Sequence, residues 1–324
     1  MNLEKKQYII TQDTFGIYKN ISQGRFSIPT DSITKYTSEV KEIIQRGVSP
    51  SNEVEVSLID EKIINKELNQ LVEAELLSNP DSICVCLDRF LLPNLQENPN
   101  FKSRFFRFGI NRNINNEKVP RIGSDTFKNQ LDNLASTVTD IENKTVILVD
   151  DGLFSGSTMK TVKDLFSTIK VKEENIKVIC FLSNQNVPQD SSNVQIARLI
   201  PNLFEWVDMR DFSIFGGKLI QSNKRNSISL AEPYISPWSN GESASINNEN
   251  FLDTSKQLIL AQKELIIDWQ KSLGSDLKFK DLISKGFPLP FNRNKSISIN
   301  INTSLVDYLD TCLKQINNEL KKNL

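Results

Sequence analysis

The residues best suited to chemistry lie in one stretch of the sequence, residues 146–158. Four apolar residues, Val146 to Val149, precede the adjacent acids Asp150 and Asp151, and a short loop then ends in Ser-Gly-Ser-Thr. This pattern predicts a buried strand, a turn that carries function, and a helix. A loop of small residues before a helix exposes backbone N–H groups, and the helix dipole adds to them, so the loop is suited to holding a phosphate.

The side chains of the stretch add to that suitability. Hydroxyls on Ser155, Ser157 and Thr158 supply further donors, and Gly156 lets an anion approach the backbone closely. Asp150 and Asp151 differ from these donors, because an ionised carboxylate only accepts hydrogen bonds. Beside a bound phosphate, such acids suit the vicinal hydroxyls of a ribose, or a magnesium ion that bridges ribose and pyrophosphate.

Two well-known phosphate loops are excluded. The stretch has no lysine and lacks the Gly-x-x-x-x-Gly-Lys spacing of a P-loop, and its glycines and preceding acids do not fit a dinucleotide-binding fingerprint. The chain also has no histidine, which excludes Ser-His and Cys-His nucleophiles, His general bases and His-ligated zinc. Any chemistry must therefore depend on carboxylates, hydroxyls, Lys, Arg, backbone dipoles or a hard metal ion.

Composition limits the class of protein further. The 324 residues carry 39 basic and 40 acidic side chains, a net charge of -1, which gives no support for a broad basic surface that binds nucleic acid. No apolar run approaches the length of a membrane span and residues 1–6 show no apolar signal region, so we expect a cytoplasmic protein without a membrane partner. The four cysteines are interpreted as buried, reduced thiols.

Strand and helix patterns alternate around the central stretch. Apolar runs indicate strands at residues 83–87, 104–109, 145–149, 176–182 and 195–200, with helices between them. The predicted fold class is α/β, with a mostly parallel sheet and helices on both faces. Ligands bind beyond the carboxyl ends of such strands, where Asp88 and Arg89 also fall.

Helical patterns extend the chain at both ends. We expect helices at residues 31–46, 58–77, 250–273 and 304–322, and a short edge strand at residues 8–10. The expected organisation is an N-terminal helical segment at 1–80 that packs on the core, an α/β core at 81–235, and a C-terminal helical extension at 236–324.

Residues 146–158 resemble the phosphoribosyl-pyrophosphate (PRPP) motif of the type I phosphoribosyltransferases. That motif has four apolar residues, two acids, and a loop ending in Thr/Ser-Gly-x-Thr/Ser, and all of these positions match. Phe154 stands where the family often has a small hydroxyl residue, and Gly152 replaces an apolar one. The resemblance implies the fold of that family, catalysis by Asp150 and Asp151, and magnesium held by the same acids directly or indirectly. It also implies that PRPP is bound by Phe154, Ser155, Gly156, Ser157 and Thr158.

The resemblance assigns further roles by position. Asp88 and Arg89 lie where the family binds pyrophosphate. Residues 110–124 lie where it has a mobile loop, with Arg112, Lys118 and Arg121 as candidate charge donors. Candidates for the hood that selects the acceptor are Trp206, Asp208, Arg210 and Asp211, although a core tryptophan and a salt-bridged turn would explain these four residues equally well.

The expected function is the transfer of a phosphoribosyl group from PRPP to (or from) a nucleobase-like acceptor, by a homodimer as is usual in the family. The alternative is a PRPP- or nucleotide-sensing or toxin-like effector on the same fold, in a bacterial defence system of the retron type. Such an effector would act with a partner protein or nucleoprotein. The length of the chain and its unmatched hood and pyrophosphate segments favour this alternative over ordinary base salvage.

Overall fold

A computed structural model describes residues 5–12, 28–48, 53–184, 193–214, 216–222, 229–239, 241–284, 287–291 and 299–322. The strands are β1 (Lys6–Gln12), β2 (Val54–Asp60), β3 (Ile83–Cys86), β4 (Phe105–Arg107), β5 (Ile110–Arg112), β6 (Lys118–Pro120), β7 (Val146–Leu153), β8 (Ile176–Ser183), β9 (Val194–Leu199), β10 (Leu203–Asp208), β11 (Lys218–Ser222), β12 (Ser229–Glu232) and β13 (Leu289–Pro290). The α-helices are α1 (Thr30–Val48), α2 (Glu61–Ser78), α3 (Pro93–Glu97), α4 (Phe127–Thr137), α5 (Ser157–Ser167), α6 (Asn248–Leu273), α7 (Phe279–Ile283) and α8 (Leu305–Lys322).

Residues 60–202 form one compact unit around a five-stranded sheet with the order β4-β3-β7-β8-β9. Every neighbouring pair in this sheet is parallel, and Ile147 of β7 lies opposite Cys84 of β3 and Lys177 of β8. The central strands consist almost entirely of buried apolar residues, as expected for a parallel sheet covered on both faces. The α/β class with a mostly parallel sheet is confirmed.

Alternate residues of the strands pack against helices on opposite faces. On one face Val85, Leu148 and Val178 join a single core cluster with residues of α4 and α5, among them Leu134 and Val162. Lys177 points to the other face, where it forms an ion pair with Glu75 of α2. Cys84, Cys86 and Cys180 are buried and free, and Cys312 of α8 is likewise buried and free, so the interpretation of the cysteines as buried thiols is confirmed.

The second compact unit comprises residues 1–59 and 203–324. It contains two three-stranded sheets, with the orders β10-β1-β2 and β11-β12-β13. Ser32 of α1 donates to Asp268 of α6 at 3.0 Å, Lys35 pairs with Glu264 at 2.7 Å, and Lys263 of α6 pairs with Asp310 of α8. The helical additions at both ends of the chain are therefore present, together with strands that the sequence patterns did not predict.

These two units differ from the three consecutive segments expected at 1–80, 81–235 and 236–324. The physical reason is pairing between distant parts of the chain. Strand β1 pairs in parallel with β10, so that Ile10 lies opposite Val207. Helix α2 belongs to the unit of residues 60–202, where it packs on the five-stranded sheet. Contiguous segments cannot describe such an arrangement.

Three local expectations need correction. Tyr8 to Ile10 belong to the central strand of their sheet and not to an edge strand, and all three side chains are at most 2% exposed because the sheet is covered on both faces. Residues 58–60 end strand β2, and the Asp60 side chain accepts the amide of Lys62 at 2.8 Å, which caps α2 at its start. Residues 110–120 form an antiparallel hairpin of β5 and β6, where a mobile loop was expected.

Candidate functional site

Asp150 and Asp151 lie within strand β7, which continues to Leu153 instead of ending at Val149. The strand continues because β8 pairs with it beyond the acids: Asp150 lies opposite Cys180 and Leu153 opposite Ser183. The backbone N–H of Asp151 donates to the Asp150 carboxylate at 3.1 Å. Both acids therefore sit on rigid backbone near the carboxyl edge of the sheet, where ligands of this architecture bind.

The environment of Asp150 disfavours its charge. Burial raises the pKa of Asp150 to about 6, and the charge of Asp88 raises it too, while hydrogen bonding from Asp151 and the charge of Arg121 oppose the shift. A buried carboxylate with a raised pKa at such an edge is typical of functional sites.

The loop after β7 leads into a helix whose N-cap residue carries no side chain. Gly156 is the N-cap of α5 with φ of 69°, and in the first turn the amide of Ser157 donates to the Ser155 hydroxyl at 3.4 Å. Ser155 donates to the Ser157 hydroxyl at 3.2 Å, and Phe154 is 44% exposed. A helix N-terminus with glycine at the N-cap presents N–H donors of the first turn and a partial positive charge, which suits a phosphate.

The hairpin of β5 and β6 brings basic side chains to the same place. Its tip is closed by Asn113, whose side chain accepts the amides of Asn115 and Glu117, both at 2.9 Å. Arg112 donates to the Thr158 hydroxyl at 3.5 Å. Burial, followed by the charge of Arg112, lowers the pKa of Lys118 to about 8, and the charge of Asp150 opposes this shift. The hairpin thus places two cations among the charges that surround Asp150 and the start of α5.

The loop after β3 and the base of the hairpin are tied to each other. Arg121 pairs with Asp88 at 3.3 Å, with side chains only 17% and 8% exposed, and it also donates to the Leu87 carbonyl at 3.2 Å. In the opposite direction, Arg89 donates to the Ile122 carbonyl at 2.7 Å. Asp88 further accepts the amide of Phe90 at 2.7 Å. Asp88 and Arg89, expected as ligands of pyrophosphate, therefore make contacts within the protein.

Comparison with protein families agrees with this geometry. The model of the phosphoribosyl transferase domain matches residues 110–206, from the hairpin through the acids and α5 to β10. Residues 110–206 are a phosphoribosyltransferase domain of the type I family.

Solved structures similar to the domain include three phosphoribosyltransferases. A purine phosphoribosyltransferase from Pyrococcus horikoshii Ot3 is 16% identical, with 45% of this chain and 86% of that chain covered and a TM-score of 0.31. A hypoxanthine phosphoribosyltransferase from Staphylococcus aureus is 20% identical, with 44% and 77% covered and a TM-score of 0.29. A hypoxanthine-guanine phosphoribosyltransferase from Bacillus anthracis is 18% identical, with 44% and 80% covered and a TM-score of 0.29. No curated protein matches the sequence.

The phosphoribosyltransferase domain provides two carboxylates, Asp150 and Asp151, as candidate metal ligands, which do not complete the coordination of a metal ion. Within the described ranges, no group of three or more His, Cys, Asp or Glu residues is arranged to hold a metal ion. Magnesium is commonly bound through one or two carboxylates together with water and substrate phosphates. Asp150 and Asp151 fit a magnesium ion of that kind, one that is held jointly with a ligand.

The four hood candidates fall in β10 and the short 3₁₀ helix that follows, which belong to the other compact unit. There Asp208 caps the 3₁₀ helix, accepts from Thr11, and forms an ion pair with Arg210. The Asp208 amide donates to Asp211 at 3.3 Å, and burial raises the pKa of Asp211 to about 6. The indole N–H of Trp206 is buried without a hydrogen-bond partner among the described residues. A role in acceptor binding stays a prediction for all four.

None of the helices in the described ranges combines the length and the apolar character needed to cross a membrane.

Proposed function

We propose that the phosphoribosyltransferase domain binds PRPP with magnesium and transfers its phosphoribosyl group to (or from) a nucleobase-like acceptor. The observation that carries the proposal is the arrangement around strand β7. This one strand places Asp150 and Asp151 a few residues before the start of α5, where the N-cap is a glycine, and cations of the hairpin face both.

Each group has a role that follows from its chemistry. The turn from Phe154 to Thr158 offers backbone N–H groups and hydroxyls to the 5-phosphate. Asp150 and Asp151 accept hydrogen bonds from the ribose hydroxyls, directly or through the metal. A bound magnesium ion would neutralise charge on the pyrophosphate. Arg112 and Lys118 add positive charge from the hairpin.

The reaction needs no protein nucleophile. As the bond between ribose C1 and the pyrophosphate oxygen breaks, its electron pair leaves with pyrophosphate and positive charge develops on the ribose ring. The acceptor nitrogen then forms the new bond to C1 with its lone pair, and the proton on that nitrogen passes to solvent. Positioning and electrostatic stabilisation suffice for such a step, which agrees with a chain that has no histidine. A hairpin that excludes water would protect the ribosyl cation from hydrolysis.

Calorimetric titration with PRPP and magnesium tests the proposal. The wild type should bind, and the double variant D150N/D151N should lose most of the affinity. Asp164→Asn is the matched control, because Asp164 is an exposed acid of α5 whose contact is an ion pair with Lys160. Absence of binding to the wild type, or equal binding by the double variant, would refute the site.

Pyrophosphate release measured with a panel of bases separates an enzyme from a sensor. Release that depends on one base identifies the acceptor. Binding of PRPP without release under any condition would favour the alternative, a sensing or toxin-like effector of a defence system. The homodimer and a partner protein or nucleoprotein remain predictions from the family resemblance, and the cytoplasmic location remains a prediction from the sequence patterns.

A further inference from the structure

The contacts between the loop after β3 and the base of the hairpin run in both directions. Arg121 reaches from the hairpin to the Leu87 carbonyl and the Asp88 carboxylate, and Arg89 reaches back to the Ile122 carbonyl. We call these reciprocal contacts of Arg89 and Arg121 the clasp. We propose that the clasp fixes the hairpin over the site, so that Arg89 and Arg121 are positioning residues that act through Arg112 and Lys118. This inference rests on the proposed function of the domain.

The chemistry of the clasp favours a fixed contact over a passing one. Both partners of the Arg121–Asp88 pair are largely buried, and a planar guanidinium can serve a carboxylate and a carbonyl at the same time. Removing one partner of such a pair leaves an uncompensated charge. The clasp therefore holds the hairpin in one position before any ligand arrives.

Backbone contacts extend the clasp into the rest of the domain. The Arg121 amide donates to the Gly109 carbonyl at 3.0 Å, and the Gly109 amide donates to the Gln130 side chain of α4 at 2.7 Å. A Cβ on Gly109 would lie 1.9 Å from the Ser124 hydroxyl, so the segment entering the hairpin passes very close to the segment leaving it. The base of the hairpin is thus held by the bonds from Arg121 to Gly109 and from Gly109 to Gln130 in addition to the clasp.

The clasp also changes the role expected for Arg89. A guanidinium that donates to the Ile122 carbonyl at 2.7 Å holds backbone, whereas Arg112 at the far end of β5 reaches Thr158 in the phosphate turn. Positive charge for the ligand then comes from the hairpin, and the contacts of Arg89 and Arg121 determine where that charge lies.

Hydrogen exchange of the unliganded protein tests the clasp independently of activity. In Arg121→Lys, which keeps the charge but loses the fork, and in Arg89→Gln, the amides of residues 110–120 should exchange about tenfold faster or more. Arg104→Gln is the matched control, since Arg104 donates to the carbonyls of Leu76 and Pro80, both at 3.0 Å, at the opposite end of β3. Unchanged exchange in both clasp variants, with a folded protein, would overturn the clasp.

A double-mutant cycle on PRPP affinity tests the functional part. Arg89→Gln should weaken PRPP binding about tenfold or more in the wild type but have little further effect in R112Q/K118Q, because it acts through those two cations. Additive losses would show that Arg89 contacts PRPP itself, and an unchanged PRPP affinity despite faster exchange would show a purely structural role; either result overturns the inference. If the wild type binds no PRPP, the proposed function fails, and hydrogen exchange alone decides whether the clasp exists.

Discussion

The backbone amide of Asp151 donates a 3.1 Å hydrogen bond to the carboxylate of Asp150. The bond fixes the orientation of the Asp150 carboxylate, yet it does not compensate for burial, and the pKa of Asp150 is raised to about 6. The fold disfavours the charged form of Asp150 at neutral pH, which points to a role of this side chain in function and not in stability.

We therefore expect Asp150→Asn to separate stability from binding. At pH 7.5 the variant should unfold at the same or a higher temperature than the wild type, with a gain of at most about 3 kcal/mol because the buried charge is removed. Its affinity for PRPP with magnesium should fall. Thermal unfolding and calorimetry on the same samples measure both quantities. A clear loss of stability would mean that the charge interactions of Asp150 with Arg121 and Lys118 outweigh the cost of burial.

A substitution of Gly156 tests whether the turn before α5 binds the phosphate. The backbone of Gly156 has a positive φ of 69°, and a Cβ there would meet nothing within 4 Å. Gly156→Ala should cost about 1–2 kcal/mol of unfolding free energy, from the left-handed backbone alone. It should also weaken PRPP binding, since relaxing the N-cap of α5 turns the first N–H groups away from the phosphate.

Gly274 is the matched control for Gly156. It follows α6 with φ of 65°, and a Cβ there also meets nothing within 4 Å. Gly274→Ala should cost a similar free energy and leave PRPP binding unchanged. Equal PRPP affinity of the two variants would show that the turn at Gly156 does not bind the phosphate.

Phe154 departs from the family pattern, and its 44% exposed side chain contributes little to the core. Phe154→Ser should change the unfolding free energy by no more than about 0.5 kcal/mol. It restores a hydroxyl donor, so the affinity for ribose 5-phosphate should rise by about tenfold or more, the worth of one hydrogen bond to a charged group. Calorimetric titration measures the change. Ile63→Ser, at an apolar residue of α2 that is 41% exposed, controls for the loss of surface apolar area, and a lower affinity of Phe154→Ser would contradict the expectation.

Local patterns predicted the parts of this fold whose partners are close in sequence. The apolar run from Val146 to Val149 predicted a buried strand correctly, and the family model confirms the domain that its motif indicated. The central position of β1 was not predictable, because β10 lies almost two hundred residues away and a strand's own residues do not identify its neighbour. Strand β7 also continues through Asp150, where the polar residues predicted a turn, because β8 pairs with it beyond the acids.

The candidate site shows the same limit. Residue types identified the acids, the phosphate turn and the basic residues of the hairpin. Arg89 donates to the Ile122 carbonyl and Arg121 to the Leu87 carbonyl. Because every residue has a backbone carbonyl, such an acceptor cannot be recognised from the sequence. Asn-rich residues 111–116 suggested a loop, whereas the Asn113 side chain closes a hairpin turn by accepting two amides.

Asp211 predicts a pH dependence of stability in the unit formed by residues 1–59 and 203–324. Burial, together with the charge of Asp208 and against that of Arg210, raises the pKa of Asp211 from 3.8 to about 6. The folded protein therefore binds the proton more tightly than the unfolded chain does. The contribution of Asp211 to stability is largest below about pH 4, falls as the pH rises toward 6, and then stays constant, with a total change of at most about 3 kcal/mol.

Asp211→Asn should remove this decrease, so the variant gains stability relative to the wild type between pH 4 and pH 7. Urea unfolding at a series of pH values measures the difference. Asp281→Asn is the control for the loss of a capping acid, because Asp281 accepts the amide of Lys278 at 2.8 Å at the same position of α7. If the wild type and Asp211→Asn show parallel pH profiles over this range, Asp211 is ionised in the folded protein at lower pH. The hydrogen bonds from the amides of Asp208 and Gly217 to its carboxylate then compensate for its burial.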